Sequence, residues 1–88
     1  HSIHMFLAKI YVTFKPAVND PEGMTILASL HDLGFSTVER VRYGKYIEVH
    51  LNEESGSRAN DQVSAMCEKL LANPVIETYR FELANVDE

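Results

Sequence analysis

No tryptophan occurs in this chain of 88 residues, cysteine occurs once, and basic residues are outnumbered by acidic ones, eight to thirteen. Each shortage excludes something. A single thiol, Cys67, rules out an internal disulfide and any multi-cysteine zinc site, and it fits a reducing compartment, so cytoplasm is the expected location. A membrane helix needs about 18–20 consecutive apolar residues, and here charges interrupt every apolar run. A formal charge of −5 repels the phosphate backbone that dominates nucleic-acid affinity. The four tyrosines and four phenylalanines are scattered through apolar patterns, and no base-stacking platform is expected from them. Neither nucleic acid nor membrane is an expected partner.

What is present suits a small folded unit. His1-Ser2-Ile3-His4 precedes Met5 without a signal-peptide pattern, so residues 1–4 are read as an expression-vector remnant and 5–88 as a single domain. A chain of this size has room for one modest core and buries only about 60–65% of its unfolded surface, so self-association would help it.

Ile10, Val12 and Phe14 alternate with Tyr11, Thr13 and Lys15, the period of a half-buried strand. Asp20, Pro21 and Glu22 then open a helix: the first can cap free amides, the second suits the first helical position, and the third favours the positive end of the dipole. Ile26, Leu27, Leu30 and Leu33 give its apolar stripe. Gly34 follows as the residue expected to turn left-handed, with Phe35 able to fold back on the helix end. A second strand is expected over Val38 to Tyr43, with a bulge to reconcile Val38 and Val41, which fall out of phase. Gly44-Lys45 reads as a type II′ hairpin turn into a third strand, where Ile47, Val49 and Leu51 alternate with Tyr46, Glu48 and His50. Asn52 to Asn60 reads as the longest and most mobile loop. Val63, Met66, Cys67, Leu70 and Leu71 form a helical stripe that must end before Pro74. Val75 to Leu83 is the last strand, with Tyr79, Phe81 and Leu83 opposite Thr78, Arg80 and Glu82, and 85–88 is an acidic tail.

The order β-α-β-β-α-β implies a two-layer α+β domain of the split-βαβ kind, an antiparallel sheet with both helices on one face. Tyr11, Thr13, Lys15, Tyr46, Glu48 and His50 fall on the other face. That mixture suits either a protein interface or an ordinary solvated sheet.

Groups able to carry chemistry are few. Cys67 sits inside an apolar helix stripe, where cysteine behaves as a small hydrophobe and not as an activated thiolate. His31 and His50 fall on different elements without partners at metal-ligand spacing, and no metal is expected. Glu53-Glu54 and Asp87-Glu88 are solvated charges in a loop and a tail. The common phosphate-loop, nucleophile-elbow and zinc-helix motifs are missing, so the chain alone is expected to catalyse nothing. Arg40 and Arg42 alternate along one strand, with Lys45 close behind. They could hold a carboxylate or phosphate or anchor a partner, or simply protect an edge strand from pairing.

Four segments, Lys9 to Lys15 (KIYVTFK), Asp20-Pro21-Glu22-Gly23, Val41 to Tyr46 (VRYGKY) and Cys67 to Glu77 (CEKLLANPVIE), together resemble the PurS family, the small subunit of phosphoribosylformylglycinamidine synthase. The likeness runs from Lys9 to Phe81 and is weakest over Asn52 to Asn60. It implies a PurS-like fold and a non-catalytic adaptor in a glutamine-dependent, ATP-consuming ligase complex of purine biosynthesis. The partners it implies are the PurQ glutaminase, the PurL synthetase and further copies of the chain, as dimer or tetramer. ATP and Mg would be used by the complex, with no cofactor on this chain. Arg42, Gly44 and Lys45 match the family as candidate partner-interface residues, and Asp20, Pro21 and Gly23 match as motif positions without an assigned role. Two rivals share the expected element order. An ACT-like metabolite-binding module would need a glycine-rich first loop, and Pro16 to Pro21 stands there instead. An acylphosphatase-like enzyme would need a glycine-bracketed arginine loop, which is also lacking.

Overall fold

In the computed structural model, residues 5–86 are described, so the proposed remnant at 1–4 and the carboxylates Asp87 and Glu88 lie outside the described residues. Three strands and two helices follow one another as β1 (Met5–Phe14), α1 (Pro21–Asp32), β2 (Gly44–Asn52), α2 (Gly56–Met66) with a π-helical extension (Cys67–Leu71), and β3 (Glu77–Asn85). The sheet is antiparallel, in the order β2-β1-β3.

Register divides the side chains as the alternation requires. On β1, Ala8, Ile10 and Val12 are fully buried, and Ile10 lies between Ile47 of β2 and Phe81 of β3. Ala59, Val63 and Cys67 of the second helix close over them, so one face of the sheet and one stripe of α2 make the core. The period of 3.6 brings Val63 and Cys67 inward, but Leu70 is 82% exposed. The π-helical turn explains this. The Ala72 N–H bonds to Cys67 O (3.0 Å), five residues back, and the wider turn swings Leu70 outward and carries Leu71 and Ala72 onto the core instead.

Three expectations are corrected. Residues 38–43 form no strand, because their backbone is held by α1 and not by a neighbouring strand. His31 Nε2 lies 2.7 Å from Val38 O at one end of the segment, and Asp20 Oδ2 accepts from the Tyr43 N–H (2.8 Å) at the other. The element order is therefore β-α-β-α-β. Gly44-Lys45 is not a hairpin turn but the start of β2. Only Gly34 among the described glycines has the positive φ that a type II′ turn demands. A side chain at Gly44 would press on Val12 O and Thr13 Cγ2, so this glycine serves close strand approach. The expected loop 52–60 is mostly helix: the Ser55 hydroxyl accepts from the Arg58 N–H (3.3 Å) and starts α2 at Gly56.

The two helices do not share a face. Only α2 and its extension pack on the sheet, while α1 packs closely against none of the strands. The chain measures 57 × 28 × 14 Å with a radius of gyration of 17.1 Å, against about 12 Å for a compact domain of this length. Helix α1 and the return segment 33–43 thus form an arm. Its tip is closed as anticipated: Gly34 takes φ +98°, its N–H bonds to His31 O and the Phe35 N–H bonds to Leu30 O, both at 3.0 Å. Phe35 nevertheless stays 55% exposed.

Candidate functional site

The neck between arm and sheet gathers the family-motif residues from both sides of α1. Asp20 precedes the helix, and its carboxylate spans the junction, Oδ1 accepting from the Gly23 N–H (2.9 Å) and Oδ2 from the Tyr43 N–H. Pro21 sets the first helical turn. Gly23 is buried in the crook, where an added Cβ would collide with the Asp20 carboxylate and Val41 O. On the other side, Arg42 donates from Nη2 to Phe14 O at the end of β1. Lys45 Nζ donates to Leu71 O (3.2 Å) and stands 3.9 Å from the Glu77 carboxylate. Asp20 and Arg42 therefore tie the two ends of the arm to each other and to the end of β1, while Lys45 ties the start of β2 to the end of the π-helical turn and to β3.

Amide hydrogen bonds dominate the electrostatics of the neck. The Tyr43 N–H, then the Gly23 N–H, with the Arg42 charge adding to both, hold the Asp20 carboxyl below its ordinary value of 3.8. A carboxyl whose pKa falls on folding contributes its stabilisation above the unfolded pKa and loses it as the pH drops through the folded one. The Tyr43 and Gly23 amide resonances should thus titrate together with a midpoint below 3.8, and their hydrogen exchange should quicken on the acid side. Asp20→Asn should remove that transition. A shared midpoint at or above 3.8 would mean that the carboxylate does not tie the neck.

Beside the neck is a cleft of about 290 Å³ lined by Phe14, Glu22, Tyr43, Gly44, Lys45 and Glu77, among others. Leu70 and Val75, 82% and 76% exposed, belong to the stretch that leads into β3. Side chains of this stretch bond to its own backbone. Asn73 Oδ1 accepts from the Val75 N–H (3.1 Å), and Glu77 Oε1 accepts from the Asn73 N–H (2.6 Å).

The face of the sheet away from α2 carries Tyr11, Thr13, Tyr46, Glu48 and His50, as the alternation anticipated, and pairing adds Thr78, Arg80 and Glu82. Lys15 lies beyond the end of β1. Tyr11 and Tyr46 meet at 5.1 Å between ring centroids, and the Arg80 guanidinium lies 4.0 Å above the Tyr11 ring. The Tyr46 hydroxyl donates to Glu48 (2.8 Å), which pushes its pKa up to about 12. Arg80 gave no sign of this role in the sequence. It became visible only when the register set it opposite Tyr11.

Cys67 is completely buried and its thiol is pushed up by desolvation, then by Glu68, the reverse of what a nucleophile needs. His31 and His50 lie on separate elements, and no group of three or more metal-ligating side chains occurs among the described residues. No helix among them is long and apolar enough to cross a membrane.

The arm is also apolar on its surface. On the arm, Met24 is 61%, Ile26 38% and Leu33 74% exposed, although water is the least favourable surrounding for such side chains.

A family model, PurS of phosphoribosylformylglycinamidine (FGAM) synthase, matches residues 7–85. The chain belongs to the PurS family. It is 43% identical over 84 residues to the phosphoribosylformylglycinamidine synthase subunit PurS of Synechocystis, covering 96% of this chain and 84% of that one. PurS of Bacillus subtilis superposes with a TM-score of 0.80 at 43% identity, covering 90% and 98% of the two chains. A chain in the PurLQS structure from Thermotoga maritima does so at 0.80 and 34% identity, covering 93% and 98%. Membership in PurS displaces the ACT-like and acylphosphatase-like readings. Both also rested on a β-α-β-β-α-β order that these three strands do not have.

Proposed function

We propose that this chain is the adaptor subunit of phosphoribosylformylglycinamidine synthase in purine biosynthesis, joining a glutaminase of the PurQ kind to a synthetase of the PurL kind. It works in the cytoplasm. In this assembly PurQ releases ammonia from glutamine, PurL uses ATP and Mg to activate the substrate amide oxygen, and the PurS-family chain holds both in register. It binds neither ATP nor metal itself. Aligning two sites so that a diffusible intermediate passes between them raises the rate through positioning alone, with no bond made or broken by the aligning protein.

The observation that carries the proposal is the arm. Helix α1 exposes Met24, Ile26 and Leu33 and leaves its own sheet uncovered by a second helix. Exposed apolar side chains on an element that packs on none of its own sheet mark a surface for another polypeptide. A second copy of the chain is the first occupant we assign, giving a homo-oligomer, and the large subunits then dock on the assembled particle. Arg42, Gly44 and Lys45 are proposed to lie at or near a partner contact, because they stand where the arm meets the sheet and Lys45 reaches Leu71 O, next to the exposed Leu70. Asp20, Pro21 and Gly23 act on the same contact from a distance, by fixing the angle at which the arm leaves the sheet.

Reconstitution tests this directly. The glutaminase and synthetase from the same source, mixed with and without this chain, are assayed for glutamine-dependent amidation. The rate should depend on the chain when glutamine supplies the nitrogen and much less when free ammonium does. Equal glutamine-dependent rates without it would end the adaptor proposal.

A further inference from the structure

Charge on this protein is unevenly placed. Thirteen acidic residues outnumber eight basic ones, yet two adjoining depressions at one end of the sheet are lined by arginine and by no described carboxylate. The first, about 370 Å³, is lined by Tyr11, Thr13, Thr78, Tyr79 and Arg80. The second, about 580 Å³, is lined by Thr13, Phe14, Pro16, Arg40, Arg42 and Thr78. They share Thr13 and Thr78, so they form one groove, with Arg80 at one end and Arg40 and Arg42 at the other. Only Arg58 lies elsewhere, beside Glu53 at the start of α2.

The polar groups in the groove are of the kind that reads a phosphate. Thr13 and Thr78 face each other across β1 and β3 with their hydroxyls 3.4 Å apart, one donating to the other, so that one hydroxyl proton is left to point outward. Arg42 spends one nitrogen on Phe14 O and keeps its remaining donors, and Arg40 has no hydrogen bond or ion pair among the described residues. Arg80 is held over Tyr11, and its Nη1 pairs with Glu82 at 3.3 Å, so its position is set before any ligand arrives. Guanidinium forks bind phosphate oxygens two at a time, and several of them favour a polyanion over a single carboxylate because their attraction adds.

We propose that this groove binds the phosphate group of a small phosphorylated metabolite, with Arg40 as the principal contact and the Thr13 and Thr78 hydroxyls beside it. The adaptor would then carry a ligand site of its own, so that its assembly or its hold on a partner responds to phosphorylated compounds. The proposal stands on the isolated chain and can fail or succeed independently of the adaptor proposal.

Calorimetric titration with inorganic pyrophosphate at constant ionic strength is the test. The wild-type chain should saturate at one pyrophosphate per chain. Arg40→Gln should weaken binding about tenfold or more, as loss of a hydrogen bond to a charged group does, and Arg40→Lys should recover part of the loss. Thr78→Val should weaken it by a smaller factor, and Arg58→Gln should not change it. Absence of saturation at millimolar pyrophosphate would overturn the proposal, as would equal losses in Arg40→Gln and Arg58→Gln. Succinate binding as tightly as pyrophosphate would overturn it too, since the groove would then be reading carboxylates, as on an acidic protein segment.

Discussion

Ile26→Asp combined with Leu33→Asp should leave the chain folded and make it monomeric. Both side chains lie on one side of the arm, seven residues apart and 38% and 74% exposed, and α1 packs closely on no strand, so the core over β1 does not feel their replacement. In a two-fold dimer each residue counts twice. At the low end of about 1.5 kcal/mol for burying a large apolar side chain, four lost burials weaken association by roughly 6 kcal/mol, more than ten-thousandfold. Four carboxylates brought into a dry interface add repulsion and desolvation to that loss. Light scattering across a concentration series, with circular dichroism to check the fold, measures the effect. An unchanged particle mass would remove the arm from the self-contact, and glutamine-dependent activity in the reconstituted complex should fall along with the mass.

The second large effect is on stability. Ile10→Ala should cost about 2–5 kcal/mol, since it opens a cavity at a fully buried position flanked by Ile47 and Phe81. Typical domains keep only about 0.05–0.15 kcal/mol per residue, hence roughly 4–13 kcal/mol for a chain of this length, so the variant loses a large share of its margin. Urea denaturation at a fixed chain concentration gives the value, because unfolding of an oligomer shifts with concentration. A loss well under 1 kcal/mol would mean that the packing over β1 is loose. Ile10→Val, which removes one methyl group, should cost about 0.5–1.5 kcal/mol.

These predictions bear on different parts of the molecule, and the two parts were unequally legible in the sequence. Along β1 and β3 the alternation identified both faces, down to Tyr79, Phe81 and Leu83 opposite Thr78, Arg80 and Glu82, because a strand period of two leaves no freedom once one side is apolar. The capping chemistry of α1, Asp20 before Pro21 and Gly34 after Leu33, was equally plain, since each residue satisfies a local backbone requirement. Residues 38–43 misled for the opposite reason. Their β-branched composition suits a strand, and nothing local announces that His31 and Asp20 will anchor them to a helix instead. Ser55 has the local look of a loop because serine beside glycine serves turns and helix starts alike, and only the hydrogen bond to Arg58 decides between them.

The candidate site follows the same division. Asp20, Gly23, Arg42, Gly44 and Lys45 could be picked out as motif positions, but the ties made there depend on contacts across more than twenty residues. The arginine groove depends likewise on which threonines the register pairs.

By itself the amino-acid sequence determined the alternation of β1, β2 and β3, the caps of α1, the inward residues of the strands with Val63 and Cys67, and the poverty of reactive groups, all properties of near neighbours along the chain. Tertiary structure alone decided that α1 leaves the sheet, that the neck closes on Asp20, and that Arg40, Arg42 and Arg80 share one groove. Those outcomes turn on contacts between residues distant in sequence, where the choice of partner is a competition among all available surfaces and no local pattern reports the winner.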